Sequence, residues 1–421
     1  MNPPALPRGW APATLGEILP LSYGKSLPAS RRTAAGTVPV YGSSGIIGRH
    51  EEAMVQGPTI VVGRKGSVGD VYHEPGPCWP IDTVYFTHGH PELDLLFCSY
   101  LLRSANLGSL DRSTAVPGLS RDDYNRMRVP VPPLLEQHRI VAAIEERLSG
   151  LVASVATLEG VRAQLPRYRA AVLKAACEGC LAARGPKDWT QTTLGDVATD
   201  ISYGTSAKTT AEPGVPVLRM GNIVDGQLSF NKLKYLPSSH HEFPSLLLAP
   251  GDILFNRTNS AELVGKTAVY SGSPTPCSFA SYLIRVRVSD GCEPRYLSAY
   301  LNSVLGRTWI ASVASQQVGQ ANVSGGKLRS MPIRLPPFAE QRRIVNEIEW
   351  RLSLVGALRL AVDAAIMRAT RLRQAILKSA FQGELVPQDP SDEPAGTLLA
   401  RVRAGAARPK SRDCRTGGVT P

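Results

Sequence analysis

The chain has 421 residues, 43% hydrophobic and 19% charged, which is enough apolar material for several cores and too little charge for a long solvated coil. Lys and Arg outnumber Asp and Glu by 47 to 35, a net +12 that suits anionic partners such as nucleic acid. No apolar run reaches the roughly 18 residues of a membrane span, and Met1-Asn2-Pro3-Pro4 has no charged-then-apolar leader pattern, so a cytoplasmic location is expected.

In chain order, residues 1–133 read as an α+β globule. Thr59–Val62 and Val84–Thr87 look like strands, a short helix is expected at Leu95–Arg103, and glycine-rich loops lie between. Pro132-Pro133 then opens a long helix, with Glu136 in its first turn where the helix dipole favours an acid. Ile144, Leu148, Leu151, Val155 and Leu158 step by four and three, the seam of a coiled coil; Val161, Leu165, Tyr168 and Val172 resume it. Pro166 predicts a kink in that helix. Residues 185–337 form a second α+β globule, with strands at Asp252–Phe255 and Tyr282–Val288 and a helix at Arg295–Ser303. Pro336-Pro337 opens another long helix, whose seam is Ile348, Leu352, Val355, Val362, Ile366 and Ile376. Residues 384–421 read as a flexible tail, with one short helix near Thr397–Arg403.

The chain is therefore written twice. Pro132-Pro133-Leu134-Leu135-Glu136-Gln137 returns as Pro336-Pro337-Phe338-Ala339-Glu340-Gln341, an offset of 204. Thr14-Leu15-Gly16 and Ser22-Tyr23-Gly24 return as Thr193-Leu194-Gly195 and Ser202-Tyr203-Gly204, at offsets of 179 and 180. The helices keep one register while the globules drift. The fold class expected is α+β: two pseudo-repeated domains at 1–133 and 185–337, and two long helices at 134–184 and 338–383 forming an antiparallel coiled coil.

Catalytic patterns are incomplete. Gly24-Lys25-Ser26 and Gly265-Lys266-Thr267 lack the first glycine of a phosphate-binding loop, and Asn2-Pro3-Pro4-Ala5 lacks the aromatic residue of an adenine-methyltransferase motif. Cys177-x-x-Cys180 stands without a second pair among seven cysteines, and His88-Gly89-His90 and His240-His241 could ligate metal, but no carboxylate or cysteine pattern completes a site. Neither catalytic residues nor a metal are expected. The basic excess is diffuse: residues 1–133 carry 12 basic and 11 acidic side chains, residues 185–337 carry 14 and 10, and the surplus gathers around Arg401–Arg415.

Two variable globules, each followed by a helix opening with Pro-Pro-Leu-Leu-Glu-Gln or Pro-Pro-Phe-Ala-Glu-Gln, resemble the specificity (S) subunit, HsdS, of type I restriction-modification enzymes. The resemblance implies a non-catalytic subunit whose two target-recognition domains read the halves of a bipartite, asymmetric DNA site. It implies methyltransferase (M) subunits and restriction (R) motor subunits as partners for adenine methylation and DNA cleavage. No cofactor is expected on this chain; S-adenosylmethionine, ATP and magnesium would sit on the partners. Gly63–Gly69 and Asn256–Ser260 resemble loops of such domains, and glycines let a backbone come close to DNA. The expected DNA-binding residues are Tyr23, Lys25, Arg64, Lys65 and Ser67 in the first domain, and Tyr203, Lys208, Arg257, Asn259, Ser260, Lys266 and Asn322 in the second. Ile144, Leu148, Leu151, Val155, Ile348, Leu352, Val355 and Val362 are the expected partner-binding positions. Alternatives are a specificity module serving a fused methyltransferase-nuclease, and a coiled-coil scaffold with no DNA role.

Overall fold

A computed structural model describes residues 6–33, 35–110, 118–182, 185–317 and 319–406. The chain divides into two compact units, one of residues 1–157 with 365–421 and the other of residues 158–364.

Both units follow one plan. In the first, a four-stranded antiparallel sheet runs in the order Ser22–Tyr23, Val84–Thr87, Thr59–Gly63, Val71–Glu74. A three-stranded sheet joins Gly45–His50 to Val38–Gly42, which pairs in parallel with Trp79–Pro80. In the second unit the four-stranded order is Ala198–Tyr203, Leu283–Val288, Ile253–Asn256, Thr267–Val269, and Val215–Leu218 again takes a parallel neighbour, Ser278–Phe279. A separate ribbon closes each globule, Ala11–Thr14 with Arg128–Val131 and Thr190–Thr193 with Pro332–Leu335. The expected strands and short helices are present within a residue or two, the helices as Leu95–Ser104 and Pro294–Asn302.

The repeated motifs have local causes. After Thr14 and Thr193 the backbone turns into a single helical turn, capped by Glu17 and Asp196 accepting from the threonine N–H groups at 2.8 and 2.9 Å. The Tyr-Gly turns need glycine, because a Cβ on Gly24 would lie 2.0 Å from the Ile81 carbonyl oxygen and one on Gly204 would lie 2.3 Å from that of Phe279. The glutamine of Pro-Pro-x-x-Glu-Gln is a buried clamp. Gln137 donates to the Pro132 carbonyl at 2.9 Å and accepts from the Asp94 N–H at 3.0 Å; Gln341 donates to Pro336 at 2.8 Å and accepts from Glu293 at 2.7 Å. Asp94 and Glu293 are the N-cap residues of the short helices, so one side chain ties the start of each long helix to the start of a short one. Glu136 is buried and accepts from the Trp10 indole at 3.0 Å; burial pushes its carboxyl above the usual range.

The long helices span Leu134–Cys177 and Phe338–Phe381. In the first unit Ile140, Val141, Ile144 and Leu148 share a core with Ile376, Leu377 and Ala380. In the second, Val172, Leu173 and Ala176 share one with Ile344, Val345 and Ile348. Within each unit the beginning of one helix thus meets the end of the other, which is antiparallel pairing. Pro166 leaves the first helix unbroken. It lies on the exposed face, where solvent can take the carbonyl left without a donor. Tyr168 is also exposed, and the half-buried Arg169 beside it turns to the globule, donating to the Asp225 carbonyl.

The stretch after Gly383, expected to be a loose tail, is packed through Val402. Leu385, Ala395, Leu398, Leu399 and Val402 enter the first unit's core, and the helix extends over Ala395–Ala406. Arg139 and the buried Asp392 form an ion pair at 2.5 Å, while Arg401 bonds both Glu92 and Glu393 at 2.8 Å. The apolar spacing 395, 398, 399, 402 follows a helix face and marks that packing in the sequence. The rest of the basic cluster, Arg408 to Arg415, lies outside the described residues.

Candidate nucleic-acid interface

In the first unit Tyr23 ends an edge strand and stands directly opposite Tyr85, their rings edge to face at 5.0 Å. Arg64 follows the central strand Thr59–Gly63. Its N–H donates to the Thr83 carbonyl at 3.0 Å, its own carbonyl accepts from Leu119 at 2.9 Å, and its guanidinium donates to Asp82 at 3.1 Å. These bonds hold the guanidinium 5.0 Å from the Tyr23 ring centre and 5.6 Å from that of Tyr85. Arg121, in the first turn of helix Arg121–Arg126, brings a second guanidinium to 5.6 Å from the same ring, which is half exposed. The Tyr85 hydroxyl and the two arginines pull the Tyr23 hydroxyl below its ordinary range, whereas burial pushes Tyr85 up. Among the described residues neither Arg64 nor Arg121 forms an ion pair with a carboxylate.

The second unit repeats the station in the same backbone frame. The Arg257 N–H donates to Tyr282 at 3.0 Å, its carbonyl accepts from Val323 at 2.9 Å, and its guanidinium lies 4.7 Å from the Tyr203 ring centre. Asn322 accepts from Arg257 at 3.3 Å and donates to Thr258 at 2.7 Å, a bracket that fixes the arginine fork. The stations differ in what surrounds the tyrosine: Tyr85 stands opposite Tyr23, but Ile284 stands opposite Tyr203. Ser120 and Ser324 both cap the next helix, so Arg121 corresponds to Gly325. Gly325 offers a backbone N–H to the Tyr203 hydroxyl at 2.8 Å where Arg121 covers the Tyr23 ring with charge.

The structure thus gathers Tyr23 with Arg64, and Tyr203 with Arg257 and Asn322. Asn259 and Ser260 line a pocket together with Met220, Tyr282 and Gln320. Lys25, Lys65, Ser67 and Lys208 are exposed. Lys266 lies apart, in a pocket with Arg169, Asp225, Glu262 and Arg307. The sequence reading missed Arg121, Tyr85 and Tyr282. Tyr85 sits within a recognised strand, but its place opposite Tyr23 depends on strand pairing that no local pattern specifies.

The expected partner positions lie mostly inward. Ile144, Leu148, Ile348 and Val362 are buried, and Leu151, Val155, Leu352 and Val355 half-buried, because a coiled-coil seam packs helix against helix. Among the exposed apolar side chains of the long helices, Trp350, Leu354 and Leu358 form one row at four-residue steps on the second helix, with Trp350 58% exposed. Of the cysteine pair, Cys177 is in the core, where burial pushes its thiol up to about 12, and Cys180 is exposed. Among the described residues no helix is long and apolar enough to cross a membrane.

Two domains of one design, each setting an arginine on a half-exposed tyrosine, define a tandem-repeat protein. The type I restriction modification DNA specificity domain matches residues 7–160 and again 186–349, and the chain belongs to that family, whose members are specificity subunits and carry no catalytic centre of their own. It is 28% identical over 319 residues to the EcoKI specificity subunit of Escherichia coli (strain K12), covering 72% of this chain and 68% of that one. It is 27% identical over 317 residues to the StySPI specificity subunit of Salmonella potsdam, with the same shares covered. The fold matches a chain from a structure on complex assembly and conformational transition of the type I R-M system, at TM-score 0.66 and 22% identity over 91% of this chain and all of that one. The HsdS subunit from Thermoanaerobacter tengcongensis matches at TM-score 0.50 and 22% identity, over 91% of this chain and 99% of that one.

Proposed function

We propose that this specificity subunit reads a bipartite, asymmetric DNA site, one half through the Tyr23–Arg64–Arg121 station and the other through Tyr203–Arg257–Asn322. The carrying observation is the pair of stations, alike in frame but unlike at Arg121 and Gly325. Arginine over an aromatic ring keeps donors free for a phosphate or a guanine edge, and different neighbours give different half-site preferences. Lys25, Lys65, Ser67 and Lys208 would add backbone contacts, and Asn259 and Ser260 polar groups for base edges. The domains are assigned to 1–133 and 185–337.

The partners are methyltransferase subunits and restriction motor subunits, with S-adenosylmethionine, ATP and magnesium held there, in the cytoplasm. Methyltransferase docking is assigned to Trp350, Leu354 and Leu358, since a solvent-facing apolar row on a helix invites a partner. Methylome sequencing with and without the gene tests the reading. Loss of one bipartite adenine-methylation motif is expected; an unchanged methylome in a host whose system is active would refute it.

A further inference from the structure

Outside the DNA-reading stations, His240, His241 and Glu242 bring one ligand atom each within 4.8 Å of one another. They occupy a turn-rich segment of the second unit, with His240 half-buried and ring against ring with His241 at a centroid distance of 4.6 Å. The His240 Nε2 atom is buried and 3.1 Å from Glu242 Oε2, yet it makes no hydrogen bond, so its alignment with the carboxylate is wrong for one. A buried nitrogen left in this way is costly unless something else satisfies it. The separation suits two ligands of one ion. Zinc–nitrogen and zinc–oxygen bonds of roughly 2.0–2.2 Å set tetrahedral ligands about 3.3 Å apart.

Glu242 is also oriented from behind. Thr205 donates to the same Oε2 atom at 2.5 Å, an outer bond of the kind that fixes ligating carboxylates. Thr205 is itself held, its N–H donating to Phe279 at 3.0 Å and its carbonyl accepting from Ser281 at 2.8 Å. The carboxylate therefore presents its remaining lone pairs to the imidazoles from a fixed support.

We propose that His240, His241 and Glu242 bind one divalent transition-metal ion of the zinc class, with Thr205 positioning the carboxylate. Two imidazoles and a carboxylate favour zinc, nickel or copper over the all-oxygen preferences of magnesium and calcium. Three protein ligands leave one coordination position for water. The ion would also bind the turn to Thr205, two residues beyond Tyr203, and so steady the segment leading to Lys208. The proposal does not depend on the DNA reading, because its test uses no DNA.

The full chain, free of any polyhistidine tag and stripped with EDTA, is titrated with Zn2+ by calorimetry and with Co2+ by visible absorption. One zinc per chain and the intense bands of low-coordinate cobalt are expected, with zinc raising the melting temperature. Glu242→Gln keeps the Thr205 bond and His240→Asn removes the buried ligand; each should weaken zinc at least about tenfold and abolish the thermal shift. His88→Asn with His90→Asn should leave both unchanged. Absence of stoichiometric binding to the wild type, wild-type affinity in Glu242→Gln, or loss of binding in the His88/His90 variant would each overturn the assignment. Glu242→Gln decides if His240→Asn does not fold.

Discussion

Arg64 donates through one guanidinium nitrogen to Asp82, and Arg257 donates to Ser281 and Asn322, out of five N–H groups each. Both forks are thus aimed by the protein yet retain donors. Arg64→Ala and Arg257→Ala should each weaken cognate binding by the assembled complex about 10- to 100-fold, the range of one good base or phosphate contact. If the contact is to phosphate, the log–log salt slope should flatten by about 0.9 for each arginine. Isotherms on the cognate duplex across a salt series read both quantities, and an unchanged affinity with an unchanged slope would remove the arginine from the interface. Both arginines were legible as strand-end cations beside glycine or asparagine. Their equivalence was not, because Tyr23 maps to Tyr203 at an offset of 180 and Arg64 to Arg257 at 193. Only hydrogen-bonding partners, Thr83 with Leu119 and Tyr282 with Val323, place them in one frame. Glu242 was overlooked for another reason: a ligand adjacent in sequence needs a turn to converge with its neighbours, and no periodic pattern announces a turn of that shape.

At the scale of elements, Gln137 and Gln341 each satisfy backbone groups at two helix starts. Replacing either with Ala strands the part-buried N–H of Asp94 or the buried N–H of Glu293 together with a buried proline carbonyl. A loss of about 2–4 kcal/mol is expected, from about 1–3 kcal/mol per orphaned group with partial relaxation. Denaturant unfolding of Gln137→Ala and Gln341→Ala checks this; a change below about 0.5 kcal/mol, ordinary for a surface substitution, would show that the clamp bears no weight. The long helices were legible because heptad steps at Ile144, Leu148, Leu151 and Val155 persist over many turns. Which apolar positions serve partners was not legible in the same way, since an apolar seam declares only that it will be buried. With that seam turned inward, Trp350, Leu354 and Leu358 form an outward row on the second long helix.

At the scale of the molecule, the first unit is discontinuous in sequence and the second is not. Ending the chain at Gly383 would strip Leu385, Leu398, Leu399 and Val402 from the first core and leave Arg139 without Asp392. Hydrogen exchange should then show the first unit losing protection while residues 158–364 keep theirs; uniform protection would mean the terminal helix is dispensable. Leu399→Ala alone should cost about 2–5 kcal/mol, the range for a buried leucine. The same discontinuity orders events on the ribosome. Residues 158–364 emerge as a complete folding unit while the globule translated before them still lacks residues 376–402 of its core. Domains ordinarily fold in the order of synthesis. Here the earlier globule must wait, apolar surface uncovered, until residues 376–402 have been made, and a chaperone holding the growing chain would find its binding site there rather than in residues 158–364.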